Sequence, residues 1–481
     1  MSNMNKTFAV IDLGSWTIRG MVARKLEDGR VSPIAFHEEP ANNCIRHGCV
    51  HNIDDAAAII RRLVSQLNES VEDNTHITSL YVGVGGQSVA SQEFIVRKIM
   101  APEGEVVRAE HIESLWAEMR GASFPDKEVL DVTEPLYYVD GKQEIQAKGV
   151  FCRELEARFQ LITARRSVKQ NIRIAVEERL GLRLAGVLVT PLCEAQVLLS
   201  DDELTLGCCY VNIGAGCTSV SIYKNRLLAM LRVLPMGGYN VTRDLTSLRL
   251  TEPEAENMKL NHVSMANDTA SNGSFRMTFP DKYSEREFRS SEVNRLAKAR
   301  MDEITANYLN IIRLSGLLED LGAGIVLNGG GAKIHNYTTA IKSILGDVAT
   351  ARIRMDRIDT DNAISFDESH TSTIGLVYRA TQPSTDYITT NLDELIDNVE
   401  ENTEPTEHKH QSELFPQDNI QMERGDTTSF RSSTPSPSSE LKTEPRKKEK
   451  TGPSFKDRFQ SLFTRVGNLF DEDTNPDNEN R

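Results

Sequence analysis

The 481-residue chain has no stretch approaching the ~20 consecutive apolar residues that cross a bilayer as a helix, so an integral membrane protein is not expected. Its first residues, MSNMNKTFAVIDLGS, hold one lysine and an apolar run cut short by Asp12. With no longer apolar core and no small-residue cleavage site, no secretory signal is expected either. Cysteine is sparse and odd in number: seven residues, two of them adjacent at Cys208 and Cys209 in an apolar run. That excludes a disulfide framework and fits a reduced, cytosolic protein. Cys44, His47, Cys49 and His51 are neighbours, but their spacing matches no common zinc module and no second Cys/His pair follows. Basic excess is also lacking. The net charge is −15, so general binding to nucleic-acid phosphates is not expected.

What is present is a repeated local grammar. Residues 8–25 (FAVIDLGSWTIRGMVARK) and 206–228 (LGCCYVNIGAGCTSVSIYKNRLL) each read as two apolar strands joined at a glycine turn. Residues 324–345 (GIVLNGGGAKIHNYTTAIKSIL) read as a buried strand that a glycine triplet turns into a helix. Helical patterns lie between them at 54–71, at 165–182 (ending on Gly181) and at 291–318. The mixture is α/β, and two hairpins of one form about two hundred residues apart point to duplicated halves facing each other. From Gln382 to residue 452 the chain is rich in Ser, Thr, Pro and Glu and poor in apolar residues, the composition of a disordered linker.

Glycine turns of this kind suit a polyphosphate, because backbone N–H groups can face phosphate oxygens where no Cβ holds the ligand off. An acidic residue beside the turn can hold Mg²⁺, directly or through its waters. Asp12 takes that place beside Gly14-Ser15. The second turn is Gly214-Ala215-Gly216, followed by Cys217 and Thr218. In the third, Gly329-Gly330-Gly331 is expected to open a helix whose N-terminus approaches the nucleotide. Any one such turn is commonplace; the three in this order are specific.

Together with RVLPMGGYNVTRDL (232–245) and HTSTIGLVYRA (370–380), these motifs resemble the actin-like ATPase superfamily and, within it, the FtsA family of bacterial cell-division proteins. The resemblance covers about residues 6–380 and the extreme C-terminus. It implies an actin-like, ribonuclease H-like duplicated fold of two lobes, with ATP and Mg²⁺ between them. The first lobe would take 6–86 and 165–200, interrupted at 87–164 by an FtsA-type inserted subdomain. The second would take 201–245, a helix-rich subdomain at 246–321, and 322–381. The resemblance also implies that Gly237 and Gly238 border the nucleotide, and that Glu256 and Lys259, three apart on one helix face, reach its adenosine side.

Several positions depart from the superfamily pattern. Asn212 stands where an Asp usually begins the second phosphate turn, so a metal-bound water would meet an amide without charge. Ala215 replaces a glycine and needs a negative φ or a Cβ facing away from the phosphate. Trp16 takes the place of a small residue and Thr17 that of a basic one, which leaves fewer charges for phosphates. Thr190, in VLVTPLCEAQVLLS, aligns with the water-positioning Glu or Gln of active relatives, while Glu194 and Gln196 fall one or two turns beyond. The expected activity is ATP binding with slow or absent hydrolysis.

The tail answers to a different solvent. On a wheel of ~3.6 residues per turn, Phe455, Phe459, Leu462, Phe463, Val466, Leu469 and Phe470 share one arc. Lys456, Arg458 and Arg465 lie at its margins, where they can snorkel to lipid phosphates. Residues 453–471 therefore read as an amphipathic helix lying on an anionic membrane surface, reached through the linker and the basic run RKKEK. The family resemblance implies a peripheral protein on the cytoplasmic face of the cell membrane at the division site. It also implies self-association into filaments, later division proteins recruited through the inserted subdomain, and an anchored Z ring of the tubulin-like protein FtsZ. The C-terminal tail of FtsZ would dock on the subdomain carrying Arg295, Lys298 and Arg300. Two other readings stay open at this level. A small-molecule kinase of the same fold needs a further carboxylate base near the γ-phosphate, and a soluble scaffold of a pilus or envelope system would lack the tail.

Overall fold

The first hairpin folds as expected and starts a sheet whose plan the second lobe repeats. The protein is described here by a computed structural model, which covers residues 7–71, 76–266, 273–279, 285–359 and 368–382. The linker from residue 383 and the tail helix, including every residue from Phe455 to Phe470 named above, lie outside the described residues.

In the first lobe, strand Thr7–Leu13 pairs antiparallel with Thr17–Lys25, which pairs antiparallel with Val31–Pro40. On its other side Thr7–Leu13 runs parallel to Ser79–Val84, and that strand runs parallel to Arg183–Val189. The second lobe has the same five-strand order. Leu227–Leu234, Thr218–Lys224 and Cys208–Ile213 are antiparallel neighbours, and Ile325–Asn328 and Val348–Thr350 continue the sheet in parallel. The duplication expected from two hairpins thus extends to both sheets. Strands buried on both faces explain why their sequences are nearly continuous apolar runs rather than alternating ones.

Helices cover these sheets by simple periodicity. Ile53–Ser70 is capped by Asn52, whose side chain accepts from the Asp55 amide, and it buries Ile59, Ile60, Leu63, Val64 and Leu67. Each such side chain contributes about 1.5–3 kcal/mol on leaving water. The helix expected at 165–182 forms as Arg166–Arg173 and a π turn at Ile174–Glu178, and Gly181 follows at φ +70°. The helix expected at 291–318 runs from Ser290 to Leu314.

Residues 90–165 build a separate antiparallel sheet with its own core, where helix Ala109–Arg120 packs Leu115, Trp116 and Met119. This sheet also touches the second lobe. The Ser91 Oγ accepts from the Leu231 amide at 2.9 Å, and the buried edge is completed by Arg232 Nη1 donating to the Ser91 carbonyl at 2.5 Å.

The third turn departs from expectation. Strand Ile325–Asn328 gives way to a 3₁₀ turn at Gly330–Lys333, and the α-helix begins only at Tyr337. Gly329 leaves the strand at φ +91°, and Asn336, left-handed at φ +63°, must redirect the chain before helix can form. The glycines are therefore a tight turn, and no α-helix N-terminus starts there.

Candidate functional site

The ends of the two hairpins meet across the junction of the lobes. The Gly14-Ser15 turn approaches its own backbone closely: a Cβ on Gly14 would lie 2.4 Å from the Thr17 carbonyl. The Ser15 hydroxyl accepts from the Gly48 amide at 2.8 Å, and His47 Nδ1 lies 2.9 Å from the Gly216 carbonyl. The loop at 47–48 thereby braces both phosphate-type turns. In the second turn the Gly214 amide donates to Cys217 at 2.8 Å, while Gly238 and Tyr239 at the start of helix Gly238–Leu245 donate to the carbonyls of Gly214 and Ala215. Ala215 keeps a φ outside the left-handed region, as its side chain requires.

These turns enclose one cleft of about 400 Å³. Asp12, Gly14, Ser15, Trp16, Asn212, Gly214, Ala215, Gly216, Cys217, Gly238, Glu256, Lys259 and Gly329–Gly331 all line it. Thr218 and Gly237 do not. Thr218 is fully buried and donates to the Met236 carbonyl at 2.8 Å, and Gly237 backs onto the carbonyls of Gly214 and Ala215. Both shape the second turn from behind.

Helix Thr190–Leu198 forms one wall. Its hydroxyl at Thr190 donates to Asp12 Oδ1 at 3.1 Å. One turn on, on the same helix face, Glu194 also lines the cleft. Its Oε2 accepts from Asn212 Nδ2 at 2.6 Å and from the Tyr210 hydroxyl at 2.9 Å. Asn328 Nδ2 donates in turn to Tyr210 at 2.9 Å. Gln196 does not line the cleft. Burial raises the pKa of Asp12, against the nearby Ser372 hydroxyl, the charge of Arg19 and the hydrogen bond from Thr190. Burial, then the charge of Asp12, pushes Glu194 up to about 7. Burial and a second carboxylate so close thus disfavour the charged form of Glu194, and the charge of Arg19 offsets only part of this.

Positive charge is nearer than the sequence implied. Arg19 stands opposite Asp12 in the strand register of the first hairpin, lines the cleft, and has its Nε 3.0 Å from Glu38. Lys333 lines it too. Counting from strand alternation would have found Arg19, since the register opposite Asp12 follows from the turn. The Glu256/Lys259 pair is a wall of the cleft rather than a solvated ion pair. Lys259 Nζ lies 2.7 Å from Glu256 and 3.0 Å from the Thr242 hydroxyl, which donates to Glu256 at 2.5 Å. Trp16, 46% exposed, stands with its ring 6.1 Å from that of Tyr239, so two aromatic groups from opposite lobes flank the opening.

For a divalent cation the donors at hand are all hard oxygens: the Asp12 and Glu194 carboxylates and the Asn212 amide oxygen. Among the described residues no group of three or more His, Cys, Asp or Glu could hold a metal. The set therefore fits Mg²⁺ bound mostly by phosphates and water, not a closed protein cage. On the second-lobe helix Ser290–Leu314, Arg295 is exposed and Lys298 half-buried. Arg300 is engaged by Asp244, with Nε 2.6 Å from Oδ2 and Nη2 3.0 Å from Oδ1, and also contacts Glu303. No helix among the described residues is long and apolar enough to cross a membrane.

Comparison with known proteins places this architecture. A family model described as "Cell division protein FtsA" matches residues 209–375. The chain is 78% identical over 478 residues to the cell division protein FtsA of Porphyromonas gingivalis, covering 99% of this chain and 100% of that one. It is 28% identical to the FtsA of Neisseria meningitidis, over 69% of this chain and 80% of that one. A solved structure titled "PilM-PilN type IV pilus biogenesis complex" superposes with a TM-score of 0.52 at 16% identity, covering 78% of this chain and 99% of that one, a likeness of fold alone. With near full-length identity to one relative and the actin-like duplicated fold in place, the chain belongs to the FtsA family of cell division proteins.

Proposed function

We propose that the chain binds ATP with Mg²⁺ in this cleft and uses the nucleotide to set the relation of its lobes, with hydrolysis slow or absent. The observation that carries this reading is the convergence of three glycine turns from two sheets of one plan on a single cleft lined by Asp12, Arg19, Glu256 and Lys259. Backbone amides at 14–16 and 215–217 would hold phosphates, helped by Arg19. Glu256 and Lys259 would border the adenosine. Asp12 and Asn212 would hold the cation, directly or through water, and the cation would offset the phosphate charge. Slow turnover is supported by Thr190: it stands where a Glu or Gln would orient water, and its hydroxyl is spent on Asp12.

In the cell, the same reading makes the chain a peripheral protein on the cytoplasmic face of the membrane at the division site. It self-associates into actin-like filaments, docks residues 453–471 on anionic lipid and tethers the FtsZ ring through the C-terminal tail of FtsZ. The candidate cations for that tail are Arg295, Lys298 and Arg300, of which Arg295 is exposed, and later division proteins meet the inserted subdomain. The support is membership of the FtsA family and the one-sided apolar face with basic margins in the tail sequence. Co-sedimentation with anionic liposomes tests it, comparing the full chain with one ending at Lys450, each with and without ATP. The full chain alone should pellet, and more strongly with ATP. If both forms stay in solution at low salt, the membrane-anchor reading falls and a soluble actin-fold scaffold takes its place.

A further inference from the structure

Asn212 presents a chemical problem that the structure resolves on the opposite lobe. An amide at the end of strand Cys208–Ile213 offers an oxygen but no charge, whereas a divalent cation beside phosphates favours a second carboxylate. Helix Thr190–Leu198 belongs to the first lobe, and side chains four apart on a helix share a face about 6 Å apart. Its two rungs match the two strand ends: Thr190 bonds Asp12, and Glu194 bonds Asn212.

The details of Glu194 separate a ligand from a mere tie. Both hydrogen bonds fall on Oε2, and Oε1 makes none among the described residues, although the residue is only 3% exposed and lines the cleft. The amide of Asn212 is oriented by the same contact. A carboxylate only accepts, so Nδ2 faces Glu194 and Oδ1 is turned toward Gly329, where a Cβ would lie 2.2 Å from it.

We propose that Glu194 supplies from the first lobe the negative charge that Asn212 withholds, so that Asp12 and Glu194 are the carboxylate pair facing the divalent cation of the bound nucleotide. The inference rests on the nucleotide reading above. Beside any reach of its Oδ1 to a metal-bound water, Asn212 then also acts as a positioning residue, its Nδ2 holding Oε2 and leaving Oε1 for the cation or its water.

The test measures ATP affinity by calorimetry with Mg²⁺ and with excess EDTA, and takes the ratio as the metal enhancement. Glu194→Gln keeps an oxygen for Asn212 and Tyr210 while removing the charge. An opposite charge a few ångströms away is worth about one to three decades. The enhancement should therefore fall about tenfold or more, while EDTA affinity stays level or rises because a like charge near the phosphates is gone. The double variant Asn212→Asp, Glu194→Gln should regain the wild-type enhancement. It also carries the test alone should the single variant not fold. An enhancement in Glu194→Gln within about twofold of wild type, equal losses with and without metal, or no recovery in the double variant overturns the proposal. If the wild-type chain binds no ATP in either condition, the nucleotide reading itself falls and takes this inference with it.

Discussion

Gly329, Gly330 and Gly331 look interchangeable in sequence, yet the structure assigns them different tolerances, and Gly329→Ala against Gly330→Ala is the sharpest test of the fold. At Gly329 the backbone sits at φ +91°, where an L-residue costs about 1–3 kcal/mol. The new Cβ would also lie 2.2 Å from Asn212 Oδ1 and 2.5 Å from the Ile213 carbonyl. Overpacking of that kind against main chain costs a further 1–3 kcal/mol or so. The expected loss is roughly 4 kcal/mol, a large part of the ~5–15 kcal/mol that holds a typical protein folded. At about 2 °C per kcal/mol for a chain of this size, Tm should fall by roughly 8 °C. A Cβ at Gly330 meets nothing within 4 Å and its φ is not positive. Gly330→Ala should therefore melt with wild type, or slightly above it through a stiffer unfolded chain worth about 0.4–1 kcal/mol. Thermal melting followed by circular dichroism reads both. The reasoning fails if Gly329→Ala melts within about 2 °C of wild type, or if Gly330→Ala falls as far as its neighbour. Because Gly330 lines the cleft, its alanine variant then reports on ligand fit without a stability change.

Three further perturbations probe positions outside the turns. Arg300→Ala removes the paired contact with Asp244 and should lower stability by roughly 1 kcal/mol, read as a small drop in Tm. Arg295→Ala, on an exposed position of the same helix, should leave Tm unchanged and weaken binding of an acidic FtsZ-tail peptide; the opposite pattern would refute this division of roles. Ser91→Ala strips the acceptor from the buried Leu231 amide at a cost of about 1–3 kcal/mol. Hydrogen exchange along Leu227–Leu234 should quicken, and unchanged protection there would mean the inserted sheet does not brace the second lobe at this edge.

Legibility in the sequence followed chain distance. Features that a short segment determines by itself were readable: the two hairpins, the helical pattern at 54–71, and the helices carrying Glu256 with Lys259 and Arg295 with Arg300. Each depends on period, turn chemistry or an i,i+3 offset, and each is settled within about one supersecondary unit. The α-helix expected at the glycine triplet failed because glycine permits a helix start and a 3₁₀ turn alike. Here Gly329 leaves the strand at φ +91° and Asn336 turns at φ +63° before helix forms, while Ile213, a strand away, packs where Gly331 has no Cβ. Glu194 was harder still. Its four-residue offset from Thr190 correctly puts the two on one helix face, but that face meets Asp12 from one lobe and Asn212 from the other. Nothing along the chain says that the two strand ends stand one helical turn apart. The same fact explains why Asn212 looked like a defect. Judged within its own strand it is a lost charge, whereas across the cleft it is the donor that holds a buried carboxylate in place. A site assembled from two lobes can move a charge from one lobe to the other and keep its electrostatics. A residue-by-residue reading of either half then records only the loss.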